Sequence, residues 1–365
     1  MRVVVMGAGG YVGSRLVPEL LAAGHDVVAT FTDVTSASRF WWSDQVRAVP
    51  MEVLDRESVR AAAAGAHAVV YLVHGLGGED FSTADRQGAY NAAHAAVRGG
   101  AERIVYLGGL VPAIPERELS THLRSRLEVE QILTDSGIPT IALRAAMVIG
   151  SGSTSFEIMR QLSERMPVQA LPTWLHSLVE PVAVTDVVTA LVGAVDGQGA
   201  VGLVGAASGP ERSRSFDVGS GERLPYAALL RLYADRAGLR RVQVRVPLVP
   251  KALVSRIAPV LTGAPSGTVR TLVESLDHDM VCRDQEFLAR LMPPLHATVP
   301  LQDAIDRALV APAASTHDEG RDILGPLTSD AGWAGGQVSR RDGRPVHHRR
   351  GGWSDLLLGP PPPLE

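Results

Sequence analysis

Lysine is almost missing from this chain of 365 residues: of its 35 cationic side chains, all but Lys251 are arginines. Any mechanism that needs a lysine away from position 251 is thereby excluded. The single cysteine, Cys282, forbids an intramolecular disulfide and a thiolate zinc cluster. Aromatic residues make up only 5%, and the abundance of alanine, glycine and valine reflects a GC-rich coding bias more than any chemistry. The net charge is −4 and no basic block precedes the last thirty residues, which argues against a nucleic-acid footprint. Long apolar runs are also lacking. The N-terminus enters a short strand-like stretch without a signal-peptide pattern, and the stretch 182–206 is broken by Asp186, Asp196 and several glycines. The expectation is a cytoplasmic protein without an integral membrane segment, long enough for about two domains.

What is present is a βα alternation over the first 150 residues. Strands are expected at Arg2–Met6, Asp26–Phe31, Val46–Glu52, Ala68–Val73, Arg103–Leu107 and Thr140–Leu143. Helices are expected at Tyr11–Ala23, Asp55–Ala64, Asp80–Arg98 and Thr121–Ser136. Strands separated by helices of this length demand crossovers and a parallel sheet. The fold class is therefore α/β, a Rossmann-type doubly wound parallel sheet with a smaller, mostly helical C-terminal substrate domain. Residues 1–150 form the main part, with 180–200 returning to it. Residues 151–179 and 201–310 form the smaller part. Residues 311–365, with paired glycines, Arg340-Arg341, His347-His348-Arg349-Arg350 and Pro360–Pro363, read as a poorly ordered tail.

The strongest local signal joins the first strand to the first helix: Gly7-Ala8-Gly9-Gly10-Tyr11-Val12-Gly13. Gly7 permits a tight turn, Gly10 lets backbone approach a pyrophosphate, and Gly13 lets the helix close on the strand. The anion would sit on the helix N-terminus, where unpaired N–H groups face it. Asp33, twenty residues beyond Gly13, can accept from a ribose 2′-hydroxyl and repels a 2′-phosphate, so NAD is favoured over NADP. Arg39, in the following loop, is the one group nearby that suits a 2′-phosphate.

The spacing Gly7-x-x-Gly10-x-x-Gly13 resembles the extended and atypical short-chain dehydrogenases/reductases, and the likeness runs over roughly residues 1–310. It is closest to the NmrA-like proteins and to the nucleotide-binding accessory subunit of respiratory complex I. The resemblance implies that Gly9, Tyr11, Val12, Thr32, Asp33 and Arg39 border the dinucleotide. It places Glu52 and Val53 at the adenine, and Val73, His74 and Asn91 along the cofactor. Leu107, Gly108, Gly109, Arg144 and Ala145 are placed toward the nicotinamide. In longer relatives the motif Ala331–Gly336 leads into a further domain, so the tail reads as a remnant of a truncated one.

The family's active members use a Ser/Tyr/Lys set, and here all three are replaced. Gly108-Gly109 stands at the serine site, and the helix that should carry Tyr-x-x-x-Lys reads His122-Leu123-Arg124-Ser125-Arg126. His122 and Arg126 share a helix face. A histidine near its ordinary pKa can exchange protons, and Arg126 can orient ribose or an anionic substrate. The competing account makes them a first-turn residue and half of an ion pair with Glu130. No metal site is expected. The function expected is an NAD(P)-dependent oxidoreductase acting on a small carbonyl or alcohol. Two alternatives are a non-catalytic NAD(P)-binding sensor or assembly factor and a nucleotide-sugar-type epimerase. The partners are the dinucleotide and a small molecule; a homo-oligomer is left open.

Overall fold

A computed structural model describes residues 1–75, 80–197, 213–247, 249–312 and 318–348; the Pro360–Pro363 run lies outside the described residues. The first half builds the strands β1 (Arg2–Met6), β2 (Asp26–Phe31), β3 (Arg47–Pro50), β4 (Ala68–Tyr71), β5 (Arg103–Gly109) and β6 (Thr140–Ala145). Between them run α1 (Tyr11–Ala22), α2 (Arg56–Ala62), α3 (Phe81–Gly99) and α4 (Thr121–Thr134). Then follow β7 (Val148–Ile149), α5 (Thr154–Arg165), β8 (Val168–Pro172), β9 (Leu178–Val179), β10 (Val182–Ala183), α6 (Val184–Val195) and β11 (Arg214–Val218). The remainder comprises β12 (Leu224–Pro225), α7 (Tyr226–Arg236), β13 (Val242–Val246), α8 (Lys251–Leu261), α9 (Ser266–Glu274), α10 (Glu286–Leu291), α11 (Leu301–Ala308), β14 (Val338–Arg341) and β15 (Arg344–His347).

Seven strands form one sheet in the order β11-β6-β5-β4-β1-β2-β3, parallel throughout. Its central strands β1, β4 and β5 run apolar after their first residues because both faces are covered. The two-residue side-chain period sorts them. Val3 and Val5 pack with Leu16, Val17 and Leu20 of α1 and Val187 and Leu191 of α6. Val4 and Met6 face the alanine side of α3, Ala89, Ala92 and Ala96, together with Val129 of α4. Small alanines let α3 lie close to the sheet. Strand order reverses at β1, between β2 and β4, which opens a crevice at the C-terminal strand ends. No described helix is long and apolar enough to cross a membrane.

Two expectations drawn from composition change. Residues 214–218, grouped with the smaller part, are β11, which pairs in parallel with β6 as the sheet's edge. Phe216 and Val218 of this strand enter the main core. The described part of the supposed tail, 318–348, is packed down. Arg15 of α1, with no exposed surface, donates to the carbonyls of Ile323 at 2.8 Å and Ser151 at 2.8 Å and to Asp330 at 3.1 Å. On α5, buried Glu157 accepts from Gly335 N–H at 2.8 Å, and Arg160 donates to the Val338 carbonyl at 2.7 Å. Docking through backbone groups and buried charges leaves no apolar periodicity to read.

Candidate functional site

The glycine loop sits where β1 runs into α1. Gly7 has φ +91°, a left-handed conformation that glycine adopts without strain, and Gly10 N–H closes the turn onto the Gly7 carbonyl at 3.0 Å. A side chain at Gly13 would place its Cβ 2.2 Å from the Gly7 carbonyl oxygen, so only glycine lets α1 approach this closely. No side chain caps α1 at Gly10, and its first backbone bond beyond the cap runs from Ser14 N–H to the Gly10 carbonyl. The N–H groups of Tyr11, Val12 and Gly13 therefore precede the helical ladder and are free to hold an anion. This cradle fits a dinucleotide pyrophosphate.

From the loop a cleft of about 660 Å³ extends over the C-terminal strand ends. It brings together Gly7, Gly10, Tyr11, Val12, Gly13, Thr32, Glu52, Val53, Val73, His74, Leu107, Gly108, Gly109 and Ala145 from the ends of six strands. The fourth strand stops at Tyr71, so Val73 and His74 reach the cleft from the loop beyond it.

Five of the expected cofactor residues do not line it. Gly9 packs under the Phe31 ring, which a Cβ would meet at 3.2 Å. Asp33 caps a short 3-10 helix (Val34–Arg39), accepting from Thr35 N–H at 3.0 Å and its hydroxyl at 2.7 Å, which lowers its pKa. Arg39, instead of turning in, donates to the Ser329 carbonyl at 3.1 Å. Asn91 is buried and donates to the Val53 carbonyl at 2.9 Å, bracing the cleft wall from behind. Arg144 forms a two-point ion pair with Glu130 at 2.8 and 2.5 Å. Trp42, adjoining the adenine side in sequence, is a buried strut: its Nε1–H donates to the Ser14 carbonyl at 3.1 Å.

His122 and Arg126, one turn apart on α4, both face the cleft. The pairing of Arg126 with Glu130 weighed from sequence is absent, because Arg144 holds that carboxylate. Burial, then the adjacent Arg126 charge, pushes the His122 pKa down to about 3. The imidazole is therefore neutral at physiological pH, away from the ordinary histidine pKa expected for proton exchange. His74, exposed at the mouth of the cleft, also has its pKa lowered, by desolvation of the ring and by the Arg126 charge. The Nδ1 of His122 and both terminal nitrogens of Arg126 are buried without a hydrogen-bond partner among the described residues.

Sequence reading missed the far end of the cleft. Helices α5, α7, α8 and α9 close it with Met159, Leu162, Leu229, Val254, Val273 and Leu276, and β7 adds Val148. Residues 150–153 are held in place: Ser151 and Ser153 are buried, and Gly152 N–H donates to Glu157 at 3.0 Å.

Residues 7–171 match the NAD(P)H-binding family. An uncharacterised protein of Mycobacterium tuberculosis (strain H37Rv) is 28% identical over 150 residues, 41% of this chain but only 15% of that protein's length. The 3-diazoavenalumate denitrifying reductase of a Streptomyces species is 28% identical over 296 residues, covering 72% of this chain and 88% of that protein. Among solved structures, triphenylmethane reductase of a Citrobacter species, in complex with NADP(H), superimposes with TM-score 0.62 at 19% identity. That superposition covers 85% of this chain and 100% of the reductase. Glycine loop, parallel sheet and the match over residues 7–171 together give this chain a Rossmann-type fold with an NAD(P)H-binding segment.

Proposed function

We propose that the protein is an NAD(P)H-dependent reductase of a small carbonyl compound, with His122 and Arg126 as the polar groups at the reacting end. One observation carries this reading. A neutral imidazole and a guanidinium, both with unsatisfied nitrogens, share one wall of a cleft that begins at a phosphate cradle. The bound reduced dinucleotide supplies hydride. The neutral His122 ring donates a hydrogen bond to the acceptor oxygen, and the fixed charge of Arg126 orients an anionic group of the substrate beside it. Gly108 and Gly109 add no side-chain acid, so the proton comes from water. The exposed Asp33 carboxylate beyond β2, with Arg39 tied to Ser329, favours NAD over NADP.

A non-catalytic sensor is the second reading, favoured by the lack of a titrating acid at the reacting end, where both histidines stay neutral. Calorimetric titration with NAD⁺, NADH, NADP⁺ and NADPH, followed by turnover on a carbonyl panel, separates the two. Turnover that drops at least about tenfold in His122→Ala supports the enzyme. Tight dinucleotide binding with no turnover on any carbonyl supports the sensor.

A further inference from the structure

We propose that the inner chamber of the cleft takes an apolar carboxylic acid, with its carboxylate on Arg126 and its hydrocarbon body among α5, α7, α8 and α9. This rests on the dinucleotide reading above and names the substrate class of the same site. Arg126 is 4% exposed, yet neither terminal guanidinium nitrogen finds a hydrogen-bond partner among the described residues. The nearest carboxylate, Asp85, stands 3.8 Å away. Its oxygens already accept from Gly75 N–H at 2.6 Å and the Ser125 hydroxyl at 3.0 Å. Asp85 thus balances the charge of Arg126 at a distance and leaves its N–H fork unfilled. A carboxylate fills such a fork with two parallel, charge-assisted bonds; a single hydroxyl cannot. Neutral His74 and His122 add no competing charge.

Beyond Arg126 the lining changes character. Met159, Leu162, Leu229, Val254, Leu272 and Leu276 face the chamber, and among the described residues no charged side chain lines this part. A sugar or diphosphate pressed against these walls would find only a few hydroxyls, Thr154, Ser155, Tyr226 and Ser275, and no charged partner among the described residues, which disfavours a nucleotide sugar. An aryl or alkyl body gains from the same walls. The chamber and the fork together select a ligand that is apolar for most of its length and anionic at one end.

The full-length protein is titrated by calorimetry with 2-naphthoate, 2-naphthylmethanol and UDP-glucose, each with and without saturating NAD⁺. The expected result is 2-naphthoate binding at least about tenfold tighter than the alcohol. Arg126→Gln should abolish that preference while leaving the affinity for the alcohol in place. Ala258→Phe, which fills the chamber, should weaken both naphthyl ligands while dinucleotide binding persists as proof of folding. Val254→Trp serves the same purpose should Ala258→Phe lose the dinucleotide. Equal affinity for acid and alcohol, an unchanged preference in Arg126→Gln, tighter binding of UDP-glucose, or no naphthyl binding by a protein that holds the dinucleotide would each overturn the proposal. Failure of the wild type to bind any dinucleotide would overturn the function reading beneath it instead.

Discussion

At the scale of single residues, Gly13 and His122 act through opposite means, one by having no side chain and the other by having a desolvated one. An added methyl at Gly13 meets backbone, the Gly7 carbonyl oxygen at 2.2 Å and the Ala8 Cα at 2.8 Å, so neither neighbour can rotate away. We expect Gly13→Ala to cost about 1–3 kcal/mol of stability. It should also weaken dinucleotide binding by more than about tenfold, as read by urea unfolding and calorimetry. His122 yields a pH prediction. Its folded pKa lies near 3, against about 6.5 for an unperturbed histidine. Below pH ~6.5 the unfolded chain binds a proton that the folded chain refuses, so stability falls as pH drops toward 3. The fall should be smaller in His122→Asn, measured by urea midpoints at pH 7 and 5. If the reductase reading holds, kcat/KM should show no histidine titration between about pH 5 and 8. A bell centred on an ordinary histidine pKa would mean that the ring titrates after all.

At the scale of elements, α1 and α5 are clamped by the segment 318–341. Arg15 of α1 is enclosed by the carbonyls of Tyr11, Ser151 and Ile323 and by Asp330, and its guanidinium lies 4.0 Å from the Tyr11 ring. Asp330, whose pKa burial raises, is the one carboxylate among these contacts. Removing it strands a buried cation, so Asp330→Ala should destabilise by about 3 kcal/mol, with the denaturant midpoint as readout. Because Arg15 lies one turn below the phosphate cradle, the same variant should bind dinucleotide less tightly. An unchanged midpoint would show that the surrounding carbonyls, of Tyr11, Ser151, Ile323 and Gly325, satisfy Arg15 alone. On α5, Gly335 N–H meets Glu157 from one side, while Ile158, Met159 and Leu162 face the cleft. The helix that walls the chamber is thus fixed from behind by the chain's C-terminal third.

At the scale of the molecule, β11 joins the sheet before the excursion through α7–α9, and residues 318–348 dock back on α1 after it. We therefore expect one cooperative unfolding transition in calorimetry. Dinucleotide at about a hundred times its dissociation constant should raise the whole transition, by about 2.7 kcal/mol in stability. Two separate transitions, only one of them ligand-sensitive, would contradict this. The glycine spacing, the β-branched runs and the alanine-rich helix α3 are local patterns, and they made the parallel sheet and the phosphate cradle legible from sequence alone. So did the replacement of the usual tyrosine and lysine by His122 and Arg126, since a substitution within a short motif needs no fold to be seen. What those two residues are was decided only by tertiary structure. Burial beside Arg126 makes His122 neutral, and Arg144 takes the Glu130 that sequence offered to Arg126. Desolvation, partner choice and the apolar chamber arise where segments far apart in the chain meet, and no local pattern encodes such meetings.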